Sequence, residues 1–157
     1  MMTAKFKLSD PVQFLALGFG SGLAPKAPGT FGTLAAIPLF LIFVNLPLTQ
    51  YLAVLSVMAL FGVHICGYTA KAIGVDDHPA IVWDEIVGFM ITMIMIPVSA
   101  TTIITGFILF RFFDIVKPWP ISAVDKKLHS GLGIMLDDMI AGFMALIVMQ
   151  LIFVVNW

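Results

Sequence analysis

Charge is the first thing this sequence lacks. Eight Lys and Arg and nine Asp and Glu make up 11% of its 157 residues, against about 25% in an ordinary soluble domain. A surface solvated on all sides is therefore excluded. The net charge of −1 excludes a strongly basic footprint, so nucleic acid is not expected as a partner. Cysteine is down to Cys66, which rules out an internal disulfide. That thiol lies in an apolar run, where its pKa rises, and reads as a small buried hydrophobe rather than a nucleophile. His64, His78 and His129 are scattered and no Cys/His pair has ligand spacing, so zinc is disfavoured. Internal repeats, low-complexity tracts and long linkers are missing too, and one domain over 1–157 is expected. The start has Lys5 and Lys7 before an apolar stretch, but Asp10 and Pro11 interrupt it and no small-x-small cleavage site follows. It is expected to stay in the mature protein.

What is present is hydrophobic sequence. At 61% apolar residues and a mean hydropathy of +1.08, the chain reads as an all-α, polytopic membrane bundle of about five spans. Residues 12–23, with Gly18, Gly20 and Gly22, are too short to cross and fit a short N-terminal interfacial or re-entrant helix. Candidate spans are 31–47, with Pro38 as a kink, then 51–70, Ala80 to Pro97, Thr101 to Val116, and Met139 to Trp157. Between the last two lies a Pro-rich connection with a short amphipathic helix around Ala123 to Leu128. Threaded through a bilayer, residues 47–50, 97–100 and Asn156 with Trp157 fall on one side. Every charged residue falls on or near the other, and the positive-inside rule makes that face cytoplasmic.

The threading also concentrates acids. Asp84 and Glu85 enter the third span, Asp114 leaves the fourth, and Asp137 and Asp138 enter the fifth, so three helix ends bring five carboxylates to one depth. The sequence-distant Asp76 and Asp77 are expected to meet the same end. Each acid alone has a plain alternative: Asp114 neutralised by Arg111 and Lys117 at i±3, Asp137 and Asp138 capping a helix. Together they repel unless a cation sits among them, and an all-oxygen set suits magnesium, manganese or calcium. Ionisable groups at the hydrocarbon edge are functional-site candidates by default.

Lys117, Arg111 and Lys26 are cations able to meet a phosphate beside such a metal. The segment SGLAPKAPGTFGT, containing Ser21, Lys26 and Thr30, runs into a helix N-terminus suited to anion binding, or is simply a flexible entry loop. Lys126, Lys127 and His129 read as a basic patch for anionic lipid headgroups. Cys66 is not followed by C-x5-R, and no D-x-D-x-T segment or vanadium-type Lys/Arg/His set exists. Metal-assisted attack by water remains.

Four segments, GFGSGLAPKAPGTFGT (18–33), IVWDEIVG (81–88), RFFDIVKPWPI (111–121) and GLGIMLDDMIAG (131–142), resemble the phosphatidylglycerophosphatase A family in wording, order and spacing. The resemblance implies a magnesium-dependent enzyme of the bacterial inner membrane, with its active site on the cytoplasmic side. Its reaction would remove the terminal phosphate of phosphatidylglycerophosphate, giving phosphatidylglycerol and phosphate. Membrane phospholipid is then both substrate and surroundings, and no obligate protein partner is evident. Carried over by motif, the acidic positions are Asp84, Glu85, Asp114 with Lys117, Asp137 and Asp138, the histidine-containing acidic segment is Asp76, Asp77 and His78, and the glycine-rich loop is Ser21 to Thr33. On that basis Asp84, Asp114 and Asp138 are expected as metal ligands, Glu85 or Asp137 as base or further ligand, and Lys117 and Arg111 on phosphate. Two rivals stand beside this reading. A CDP-alcohol phosphotransferase needs D-G-x2-A-R followed by G-x3-D-x3-D, which neither Gly88 nor Gly142 anchors. A non-enzymatic divalent-metal transporter expects ligands near mid-membrane rather than at helix ends.

Overall fold

The computed structural model describes residues 6–155, in which there are seven α-helices, one 3-10 turn at Ser21–Leu23 and no strand. The helices are α1 (Pro11–Ala16), α2 (Pro28–Phe43), α3 (Leu48–Ile73), α4 (Trp83–Thr92), α5 (Ala100–Val116), α6 (Ile121–Lys127) and α7 (Gly131–Phe153). Their boundaries follow from local chemistry. Proline opens α1 and α2, where its missing N–H costs nothing. Gly74 ends α3 in the left-handed conformation. Ser99 and Thr102 form a capping box at the start of α5.

The short helix α4 is the centre. All ten of its residues are buried, and α2, α3, α5 and α7 pack around it. A helix apolar on every side belongs inside. The expected third span, Ala80 to Pro97, is corrected here: only Trp83–Thr92 is helical, about 15 Å at 1.5 Å per residue, half a bilayer core. Before it, the Val82 amide donates to the Ala16 carbonyl at 2.9 Å. After it, the chain turns, and neighbouring side chains take up the freed carbonyls. The Tyr51 hydroxyl donates to Met90 O at 2.7 Å and Gln150 Nε2 to Ile94 O at 2.9 Å. Such partners matter where water is scarce.

Two helices, α3 and α7, are long and apolar enough to cross a membrane, whereas α2 and α5, at 16 and 17 residues, are about 25 Å long. The expected last span starts eight residues earlier than Met139, at Gly131, so Asp137 and Asp138 lie inside α7 and cap nothing. At the other end, residues 12–23 form six-residue α1 and the 3-10 turn instead of one helix, because Gly18, Phe19 and Gly20 all take positive φ. The predicted amphipathic helix is α6, and Pro38 lies within α2. Lys5, Asn156 and Trp157 fall outside the described residues.

Candidate functional site

Asp84 and Glu85 stand in the first turn of α4, and Asp138 stands about two turns into α7. One carboxylate oxygen from each lies within 4.8 Å of the others. Glycine makes the meeting geometrically feasible. Gly88 follows Asp84 by four residues and Gly142 follows Asp138 by four, so each lies one turn below its acid on the same face. A Cβ on Gly88 would sit 2.8 Å from the Asp138 carbonyl oxygen, and one on Gly142 would overlap the Gly88 carbonyl. With only hydrogen there, the two backbones touch and the acids above them converge.

The burial of these acids demands a partner. Asp84 Oδ1, Glu85 Oε2 and Asp138 Oδ2 are buried and make no hydrogen bond. Buried carboxylates of this kind are paired, neutralised or bound to metal. An all-oxygen donor set at this spacing fits a hard divalent cation.

The other two predicted ligands are clamped by the protein's own cations. Asp114 accepts from Arg111 one turn earlier in α5, and Arg111 Nη1 also lies 3.8 Å from Glu85 Oε1. Arg111 Nε remains buried without an acceptor. Asp137 accepts from Lys117 Nζ at 2.9 Å, and the same ammonium donates to Asp125 at 2.7 Å. The i+3 pairing of Asp114 with Lys117, the plain alternative that spacing offered, does not form. Lys117 caps α5 at φ 47, a left-handed turn that carries its side chain off the α5 face toward α6 and α7. Burial works against its charge, but the hydrogen bonds with Asp125 and Asp137 outweigh that and raise its pKa above the ordinary lysine range.

The glycine-rich loop reaches the site through Gly29. A Cβ there would lie 2.5 Å from Glu85 Oε1 and 2.9 Å from Arg111 Nη1, so the first turn of α2 rests on that pair. Thr30 is half-buried beside it. Ser21 instead donates to Gly18 O within its own turn, at 2.8 Å, and Lys26 is exposed with no ion pair to a described residue. Asp76 and Asp77 do meet the second acidic group. With Asp125 and Asp137 they line a cavity of about 210 Å³. His78 accepts the Ala80 amide through Nδ1. Asp125 was not singled out by the sequence reading, and Gly29, Gly88 and Gly142 were not read as packing positions, although D-x3-G recurs in DEIVG and DMIAG.

The family model described as Phosphatidylglycerophosphatase A matches residues 14–153. The chain belongs to that family. Among curated relatives, the Phosphatidylglycerophosphatase A of Escherichia coli K12 is 46% identical over 140 residues, covering 88% of this chain and 81% of that protein. The Phosphatidylglycerophosphatase A of Haemophilus influenzae Rd is 45% identical over 146 residues, covering 92% and 90%. No solved structure matches. Every acid, cation and glycine of the site lies within the region matched to the phosphatidylglycerophosphatase A family.

Proposed function

We propose that the protein is a phosphatidylglycerophosphatase of a bacterial inner membrane, crossing the bilayer several times with its acidic end at the cytoplasmic surface. The outward faces support a lipid setting: Ile42, Leu60, Ile108 and Ile147 are all more than half exposed. The charges at one end of the bundle support the orientation.

One observation carries the catalytic reading. Three converging carboxylates, each with one buried oxygen that has no partner, lie beside Arg111, whose buried Nε–H needs an acceptor. A site short of both a cation and an anion suits a metal-bound phosphoryl group. Asp84, Glu85 and Asp138 would hold magnesium, which supplies Lewis-acid polarisation of the phosphoryl oxygen and lowers the pKa of water. Asp114 holds Arg111 in place to receive a phosphoryl oxygen. Lys117, fixed between Asp125 and Asp137, would meet the charge that builds on the departing glycerol oxygen. Water oxygen bonds to phosphorus, the phosphorus–glycerol oxygen bond breaks, and a proton passes to that oxygen, leaving phosphatidylglycerol and inorganic phosphate.

Purified protein in detergent should release phosphate from phosphatidylglycerophosphate, lose that activity to a chelator, and regain it with magnesium. Turnover indifferent to the chelator, or none at all, overturns the proposal.

A further inference from the structure

Next to the acidic cavity lies a larger one of about 410 Å³, between the end of α3 and the start of α7. Asp76 and His129 line both, so the two adjoin along those side chains. The larger one differs in chemistry. Its wall carries Lys71, His64 and His129 beside Tyr68 and apolar Val63 and Leu132, with Asp76, on the side shared with the acidic cavity, as its one carboxylate. Lys71 is exposed and makes no ion pair with a described residue, unlike Arg111 and Lys117, which are both ion-paired with acids. The cavity floor is where α3 and α7 touch, since a Cβ on Gly131 would lie 2.8 Å from the Gly67 amide nitrogen. Leu60, His64 and Lys71 follow one another along a helix face at spacings of four and seven. Leu60 is 75% exposed, so this face passes from cationic at the bundle's charged end to apolar away from it.

We infer that this basic cavity is the subsite for the phosphodiester of the lipid substrate, with Lys71 and His129 as its ligands. The inference rests on the hydrolase reading above and adds how the substrate is selected. The substrate is linear: phosphomonoester, glycerol, phosphodiester, diacylglycerol. The structure offers surfaces in the same order. The bare carboxylates with Arg111 come first, then the acidic cavity, whose Asp76, Asp77 and Asp125 can accept from the glycerol hydroxyl. The basic cavity follows, and the apolar flank at Val63, Leu132 and Leu60 receives the acyl chains. Lys meets a phosphodiester as a point charge, and His129 adds a ring N–H donor.

The discriminating substrates are phosphatidylglycerophosphate and phosphatidic acid, a lipid phosphomonoester with no diester. In the Lys71→Ala/His129→Ala double variant, the ratio of kcat/KM for the first to that for the second should fall about tenfold, the loss of a hydrogen bond to a charged group. The change should appear in KM for phosphatidylglycerophosphate, be larger in Lys71→Glu, and be reversed in Lys71→Arg. An unchanged ratio and KM across these exposed-residue variants overturns the subsite. The same chemistry could belong to a separate anionic phospholipid. If the variants lose activation by added phosphatidylserine while keeping the wild-type ratio, the cavity belongs to that lipid and the substrate assignment fails. Wild-type protein that releases phosphate from neither substrate overturns the hydrolase reading, and the subsite with it.

Discussion

Two groups of carboxylates share the charged end of the bundle, and their neighbours make them opposites. Asp84, Glu85 and Asp138 sit against the α4–α7 contact with buried oxygens that nothing satisfies. Asp114 and Asp137, on the flanks, are each bonded to a cation that the chain itself supplies. The clamped acids can fold without help. The bare ones add an electrostatic penalty to folding that a ligand must lift, since a buried ion without its partner destabilises. Folding energy is thus spent at the point where a metal would bind, and the clamped acids hold the cations that would face the substrate in the proposed reaction. The five acids expected at one depth thus divide into three that converge with unpartnered oxygens and two that are held by cations.

The sharpest test of that division is Asp138→Asn. Phosphate release should fall about a hundredfold or more, as expected when several kcal/mol of transition-state charge stabilisation is lost. Manganese binding, followed by its paramagnetic spectrum, should weaken in parallel. Thermal stability without metal should stay the same or rise, because one uncompensated charge has gone. A clear loss of metal-free stability would mean that Asp138 is already satisfied, and would erase the contrast.

The glycine contact comes next. Gly88→Ala places a methyl 2.5 Å from Phe110 and 2.8 Å from the Asp138 carbonyl, and overpacking of this kind costs about 1–3 kcal/mol. Separating α4 from α7 should also weaken metal binding, with no acid changed. Wild-type metal affinity in a measurably destabilised variant would show that the bare carboxylates converge without this contact.

Much of the acidic cluster was legible in the sequence, because acids are so rare in this chain that each one marks a place. Asp84 with Glu85, Asp114 and Asp138 were assigned to one locus from three separate helices, and they do meet. The start of α7 was not legible. Ser130, Gly131 and Gly133 resemble a loop, and the helix persists there because Gly131 packs on Gly67, a contact between distant segments. Nor were the cation assignments. Of the two cations that spacing offered Asp114 as a plain alternative, Arg111 pairs with it and Lys117 does not, since one left-handed residue redirects the whole side chain. The D-x3-G repeat was visible, yet its meaning depends on two helices lying face to face.

Lys117→Met removes a clamp and should leave Asp137 without a cation, its Oδ1 still accepting the Asp138 amide. Turnover should fall about tenfold to a hundredfold, with kcat affected more than KM, because the lysine faces charge that develops in the transition state. Stability should fall by about 1 kcal/mol, a modest figure because the Lys117 side chain is 30% exposed. Adding Asp137→Asn should recover that stability without recovering turnover, as measured in a double-mutant cycle. Recovery of both would make the pair structural.

The smallest effect belongs to the outer half of the same clamp. Asp125 is the more exposed of the two acids on Lys117, at 39% of its side chain against 9% for Asp137. Solvent screens it, and an exposed pair is worth under about 1 kcal/mol. Asp125→Asn should therefore leave thermal stability nearly unchanged, and Lys117 should stay charged through its bond with Asp137. Turnover should drop only about twofold to fivefold, from looser positioning of the ammonium, and the loss should deepen with added salt as the remaining attraction is screened. A drop as large as that of Lys117→Met would show that both acids are needed to aim the amine, and the distinction between inner and outer partners would then have to be abandoned.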